Sequence, residues 1–449
     1  MHRLAALAVV ITASAACHTA SIVVGDLEEV VAMKAIPTRE LDILFVIDDS
    51  SSMYPQQTAL AANFPRMIDV LGQLDGGLPN LHIGIVTSDL GTTSVQSPTP
   101  APPIGGCDTG AGKGGALQTN GAPVADLFIS DVDDGNGGRL VNYAGELRDV
   151  FATMAQVGAG GCGFEQHLAA MRRSFTNPAN AGFIRPEANL AVVIIADEDD
   201  CSILSPDVFS PDSPALGALS SFRCARFGIT CDEPDLATPG PKTGCVPAAG
   251  STYIEDVQPF VDALIAVKGD PRRVMVAGIV GDPNPVETTI SPPYATPQRP
   301  EIAPSCTFAG AAGDQVAFPS VRLSAFLDAF PGRSQRTSLC SADLSSPLAI
   351  IGDSAKKLVG DPCLDTSILA DAAPDVPGIQ PACEVLDRRD SAPDAPTSLP
   401  PCTTTTTTDC YSLHPDPTAC PSTSDHLRIT FQRSSVSDDT WTSVRCQLR

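Results

Sequence analysis

The sequence predicts an α/β fold: a doubly wound, mostly parallel sheet flanked by helices, with long disulfide-stapled insertions and a small Cys-rich β module at the C-terminus. Three observations lead there. Short apolar runs at 41–47, 82–87, 190–196 and 274–280 are bounded by polar residues, as buried parallel strands are. Stretches with apolar residues at helical spacing lie between them, and such alternation implies a parallel sheet covered on both faces. Pro-, Gly- and Cys-rich segments separate these elements, and from about residue 361 apolar periodicity almost vanishes while cysteines accumulate.

The first strand is Leu41-Asp42-Ile43-Leu44-Phe45-Val46-Ile47. A helix using Leu60, Phe64, Met67, Ile68 and Leu71 follows, and Pro65 inside that pattern predicts a kink or a late start. After the strand at 82–87 comes a stapled surface insertion, 92 to about 125, that carries Cys107. Two short helices are expected at 147–157 and 165–175. The run at 190–196 is the clearest buried strand, and a Cys-bearing insertion follows it to about 249. Ile254, Val257, Val261, Leu264 and Ile265 mark an amphipathic helix. The strand at 274–280, a Pro-rich insertion and a helix at 323–330 complete this part. The expected organisation is a signal peptide at 1–16, a tether at 17–38, the main domain at 39–360 and the Cys-rich module at 361–449. In that module Leu427-Arg428-Ile429-Thr430-Phe431 alternates like a strand, and the six threonines 403–408 read as a solvated loop.

The leader sets the compartment. Arg3 precedes an apolar stretch to Ala16 that is too short to span a bilayer and ends in small residues, the pattern of a secretory signal peptide. Ser14-Ala15-Ala16 before Cys17 resembles a bacterial lipoprotein processing site, which implies lipidation of Cys17; ordinary cleavage near Ala16 is the alternative. The chain has 15 cysteines, and setting Cys17 aside leaves 14, enough for seven disulfides without a free thiol in an oxidising compartment. The implied location is a bacterial cell envelope, as an outer-membrane lipoprotein or at the cell surface, with membrane contact only through the lipid anchor. Against 28 Lys and Arg stand 52 Asp and Glu, a net charge of −24, which excludes nucleic acid as a partner.

The chemistry concentrates where the first strand ends, in Asp48-Asp49-Ser50-Ser51-Ser52-Met53. Asp48, Ser50 and Ser52 reproduce the D-x-S-x-S pattern, and the chain resembles the von Willebrand factor type A (VWA) domains, in which that pattern forms a metal ion-dependent adhesion site. Hard divalent cations, Mg2+ or Ca2+, take such oxygen ligands. Neutral hydroxyls leave net positive charge on the ion, which then attracts a carboxylate from a protein partner. Asp197, directly after the strand at 190–196, matches the family's acidic residue in a later loop and leads the run Asp197-Glu198-Asp199-Asp200. The family's middle-loop Thr is absent from Gly158-Ala159-Gly160-Gly161-Cys162-Gly163-Phe164-Glu165. Glu165 or a water then completes the shell, or the site is degenerate; Asp199 is a second accessory candidate. These segments resemble a Cys-rich, predicted-lipoprotein branch of the family in myxobacteria-like organisms.

The resemblance implies metal-dependent protein binding without catalysis; the alternative is a structural envelope lipoprotein whose metal site is idle. Other chemistries find no support. Gly158, Gly160 and Gly163 spell G-x-G-x-x-G but do not follow a strand, so a tight loop with Cys162 bridged nearby is expected instead of a dinucleotide site. The acidic stretch at 131–136 reads as a solvated turn. No H-E-x-x-H, G-x-S-x-G or C-x-x-C occurs. His167 is expected to be partly exposed and without a role.

Overall fold

The computed structural model describes residues 27–449 apart from 75, 105, 108–109, 292–297, 311–312, 342, 361–362 and 421–422. The expected signal peptide and Cys17 lie outside the described residues. Strand β1 (Leu27–Lys34) comes first. The largest sheet is built from β2 (Glu40–Ile47), β3 (Asn80–Thr87), β4 (Ile129–Asp133), β5 (Arg139–Val141), β6 (Asn189–Ala196), β7 (Val274–Val280) and β8 (Ser334–Ser338). Their spatial order is β8-β7-β6-β2-β3-β4-β5. The strands from β8 to β3 pair in parallel, and β4 and β5 add antiparallel at the edge.

The chain is therefore not the doubly wound, mostly parallel α/β fold that the sequence predicts. Strands outnumber helices, and among the described residues they are spread over six sheets, the largest of them mixed. The departure originates in the loops. After β3 the chain lays β4 and β5 onto the sheet edge as a hairpin, turned by a half-buried Asp134 carboxylate that accepts from the amides of Asn136 and Gly138. The insertions likewise form small antiparallel sheets of their own, such as Val286–Ile290 between Pro300–Ile302 and Gly240–Lys242.

The large sheet is apolar on both faces because its central strands alternate two apolar sets. Leu41, Ile43, Phe45 and Ile47 of β2 join one core, with Val193 and Ile195 of β6. This core is covered by α1 (Tyr54–Leu71), α2 (Leu147–Met154) and, further along the chain, the helix Ser345–Leu358. Phe64 and Phe151 stack there with ring centroids 3.5 Å apart. Leu44 and Val46 join the opposite core, under α3 (His167–Thr176), α5 (Gln258–Lys268) and α6 (Val321–Asp328), while α4 (Phe222–Gly228) packs into smaller clusters of the insertions. Asp42, fully buried inside β2, is neutralised by Lys268 Nζ at 3.0 Å and Arg185 Nε at 2.8 Å.

Helix α1 does not start late. It begins at Tyr54 with Pro55 in its first turn and runs through Pro65. Pro55 fits there because first-turn amides have no intrahelical partner. Pro65 forfeits one backbone bond, and the buried flank of Leu60, Phe64, Met67 and Leu71 holds the helix regardless. The helix Ser345–Leu358, α7, has no counterpart in the sequence reading. It packs directly against α1 at Gly352, where an added Cβ would lie 3.0 Å from Val70 Cβ and 3.2 Å from the Met67 carbonyl. Gly352→Val should therefore push the two helices apart and destabilise the protein by about 1–3 kcal/mol, read from urea denaturation.

The C-terminal part contains β9 (Cys383–Arg389), β10 (Ala392–Leu399), β11 (Cys410–Pro415), β12 (Leu427–Gln432) and β13 (Thr440–Gln447). One sheet has the order β1-β13-β9-β10, and β11 pairs with β12. The stretch read as a tether thus holds a strand of the C-terminal sheet, paired from Leu27–Gln447 to Lys34–Trp441. Val31, Met33, Leu369, Val385, Ile429 and Val444 give this part a core of its own.

All fourteen cysteines of the described residues pair. The main part holds Cys107–Cys162, Cys201–Cys224, Cys231–Cys245 and Cys306–Cys340; the C-terminal part holds Cys363–Cys420, Cys383–Cys446 and Cys402–Cys410. Seven disulfides belong to a protein of an oxidising, extracytoplasmic compartment. Among the described residues no helix is long and apolar enough to cross a membrane.

Candidate functional site

The end of β2 and the end of β6 lie side by side, since the Asp48 amide continues the ladder by donating to the Ile195 carbonyl at 3.0 Å. That adjacency brings Asp48 and Asp197 together from opposite ends of a long stretch of chain. Asp48 is fully buried; its Oδ1 accepts from the Ser50 amide at 2.7 Å, and its Oδ2 receives no hydrogen bond. The loop then turns so that Ser50 Oγ and Ser52 Oγ lie 3.1 Å apart. Asp197 is 1% exposed, and neither of its carboxylate oxygens has a donor. Burial, then the charges of Asp48 and Glu198, push its carboxyl well above the usual range, and the nearby Ser52 hydroxyl offsets only part of this.

The glycine-rich loop closes the other side. The Cys107–Cys162 disulfide and a bond from the Gly163 amide to the Gly106 carbonyl fix it, so the tight bridged loop expected there is present. Gln57 of α1 straps it to the first loop by donating to the Asp48 and Gly158 carbonyls at 3.0 and 2.8 Å. Gly161 is obligatory: a Cβ would fall 2.4 Å from Asp49 Oδ1. Glu165, at the end of this loop, is 2% exposed. Burial, then the charges of Glu198 and Asp48, raise its carboxyl well above the ordinary value. Glu198 is pushed up to about 7 by burial and by Asp48.

The run 197–200 divides its carboxylates among different tasks. Asp199 does not join the cluster: it accepts from the amides of Arg322 and Leu323, satisfying the N-terminus of α6. Asp200 accepts from the Leu168 amide at the start of α3 and pairs with Arg322 Nη2 at 3.0 Å. Asp49 turns away to Lys113, 2.8 Å distant; burial nevertheless lifts it to about 6.

Asp48, Ser50, Ser52, Asp197 and Glu165 thus share one locus, and Asp199 serves a helix end. Sequence reasoning missed Glu198, seen only as part of a charge run, and His167. That histidine is fully buried, its Nε2 3.4 Å from Asp48 Oδ2. Burial lowers its pKa, but Asp48 outweighs this and holds it above the usual value. The signal for it was its place in the first turn of a helix that follows a buried loop. Beside the cluster opens a cleft of about 190 Å3 whose walls include Glu165, Glu198, Phe222, Ile229 and Phe318.

Among the described residues no group of three or more His, Cys, Asp or Glu side chains closes into a metal cage. The donor set that does converge mixes hydroxyls with carboxylates, and its three buried carboxylate oxygens without donors suit a hard cation.

No protein-family model matches the chain, and no curated protein matches it. Among solved structures, the chain is similar to the open conformation of the pilus adhesin SpaC from Lactobacillus rhamnosus GG, at 13% identity over 93% of this chain and 39% of that one, with a TM-score of 0.31. It is also similar to the human COPII-coat protein Sec24c, at 10% identity over 92% and 40%, with a TM-score of 0.29. A third is the pilus adhesin RrgA from Streptococcus pneumoniae, at 11% identity over 93% and 57%, with a TM-score of 0.29. The chain spans less than two thirds of each, and likeness at these scores fixes neither fold nor activity.

Proposed function

We propose that this is an exported binding protein that holds a divalent cation, Mg2+ or Ca2+, with Asp48, Ser50, Ser52 and Asp197, and presents it to a carboxylate on a protein partner. The observation that carries the reading is the buried Asp197 carboxylate, whose two oxygens lack donors, beside Asp48 at the ends of two adjacent central strands. An unpaired carboxylate in a dry site is costly, and a cation offsets that cost directly. Glu165 and Glu198, both raised in part by the charge of Asp48, are the accessory candidates in place of the Thr that the VWA resemblance calls for. When bound, the cation supplies a Lewis-acidic, positively charged point of attachment. The chain's own groups hold Asp48 in orientation through Ser50 and keep bulk water from Asp197. Attachment to a membrane through a lipidated Cys17 belongs to the same proposal.

Titration calorimetry with Mg2+, Ca2+ and Mn2+ tests it. The intact protein should bind at least one of them, and Ser50→Ala/Ser52→Ala should weaken binding by tenfold or more, about 1.4 kcal/mol. Equal binding by the double variant would remove these hydroxyls from the site. A second reading, an envelope protein with an idle site, is favoured by one observation: a charged His167 at 3.4 Å compensates Asp48 without any metal. No heat with any of the three cations, at full stability, would establish it.

A further inference from the structure

Basic residues are scarce in this chain, 28 against 52 acidic ones, yet four arginines gather at one groove far from the carboxylate cluster. The groove runs between the C-terminal sheet and the segments that lead into β7 and β8, has a volume of about 490 Å3, and includes Arg272, Arg333, Arg388, Arg445, Trp441 and Thr442 in its lining, with no Asp or Glu. The placement follows from strand alternation. Trp441, Ser443 and Arg445 share one face of β13, and their register partners on β9 are Arg388, Leu386 and Glu384, which bring a further arginine beside Trp441 and a carboxylate beside Arg445. Arg272 lies over the Trp441 ring at 4.2 Å and pairs with Asp270 and Asp390 outside the lining. Arg445 has Glu384 at 3.9 Å.

A second, independent observation points to a ligand. Trp441 is 5% exposed, and its indole N–H is buried without an acceptor. A donor-only group in that state favours an incoming oxygen. Guanidinium groups recognise carboxylates and sulfates through paired N–H donors, and the groove volume lies in the range of small-ligand sites. The size of the anion is decided by the whole molecule. With a net charge of −24 the protein repels extended anionic surfaces and polyanions, whereas a small ligand inside the groove meets the local arginine field within a Debye length of about 10 Å.

We propose that this groove binds a small anionic ligand bearing carboxylate or sulfate, with the groove arginines on its anionic groups and the indole N–H on one of its oxygens; acidic disaccharides serve as its probes. Because Trp441 is the chain's one tryptophan, its emission reports the site alone. Digalacturonate and a disulfated disaccharide should each shift or quench that emission with a dissociation constant below about 1 mM. Binding should weaken as NaCl rises from ~0.05 to ~0.3 M. Arg388→Glu/Arg445→Ala, two exposed positions whose exchange leaves the fold intact by circular dichroism, should lose tenfold or more in affinity. The proposal is overturned by no response to either saccharide at 10 mM. It is overturned equally by binding of uncharged maltose with the same affinity, by undiminished binding in the double variant, or by a response to anionic phosphatidylglycerol vesicles alone.

Discussion

Arg322→Ala should cost about 3–5 kcal/mol of stability, read as a shifted guanidinium midpoint at unchanged slope. Arg322 is 1% exposed. Its Nη2 bonds the Asp200 carboxylate at 3.0 Å and the Glu255 carbonyl at 2.7 Å, and its Nε bonds the Asp200 carbonyl at 3.0 Å. Truncation leaves a buried carboxylate that still caps α3 but has lost its counter-charge. Arg322→Met keeps the packing volume and should be nearly as damaging, whereas Arg322→Met/Asp200→Asn should recover most of the loss. A cost below about 1 kcal/mol for the alanine variant would mean that water reaches Asp200 and replaces the guanidinium.

Asp197→Asn should have the opposite sign in the absence of metal and the larger consequence in its presence. Removing one charge from the set Asp48, Asp197, Glu198 and Glu165 relieves both burial and mutual repulsion, so the variant should melt several degrees above the parent in EDTA. Under saturating cation the order should reverse, because ligand at 100-fold its dissociation constant adds about 2.7 kcal/mol to the parent only. The pH dependence has a definite sign. Asp49, raised to about 6, and Glu198, raised to about 7, have folded values above their unfolded ones of 3.8 and 4.5. The folded state then binds more protons between these limits, so metal-free stability should fall as pH rises from about 4.5 to 7. Below that window, carboxylates held low by arginine or hydroxyl donors, Asp270 and Asp439 among them, reverse the trend. A parent protein with a flat melting profile from pH 5 to 7 and no rise on adding cation would contradict both the electrostatics and the cation site.

What the sequence made legible was whatever burial writes locally. The strands Glu40–Ile47, Asn189–Ala196 and Val274–Val280 are apolar on both faces and stand almost where their runs predict them. Asp48 and Asp197 were legible because each directly follows such a strand. The sheet edge was not, because Ile129–Asp133 is short and half polar, and Arg139 reaches its partner Asp131 only once the hairpin has formed. Helix Ser345–Leu358 hid behind its exposed Ile350 and its lysines. The fate of Asp199 and the burial of His167 depend on partners over a hundred residues away or on a loop fixed by a disulfide, and no local pattern records them.

The pairing of β1 with β13 joins residues 27–34 to residues 440–447. During synthesis and export the first of these strands emerges with its future neighbour still unmade, some four hundred residues of chain ahead of it. It must stay unpaired throughout that interval, a bare ribbon edge to be shielded from its like on other nascent molecules. Loss of the last ten residues would therefore be felt at both extremities of the folded body: it strips β1 of its template, leaves β9 bare on one side, and orphans Cys383 from Cys446.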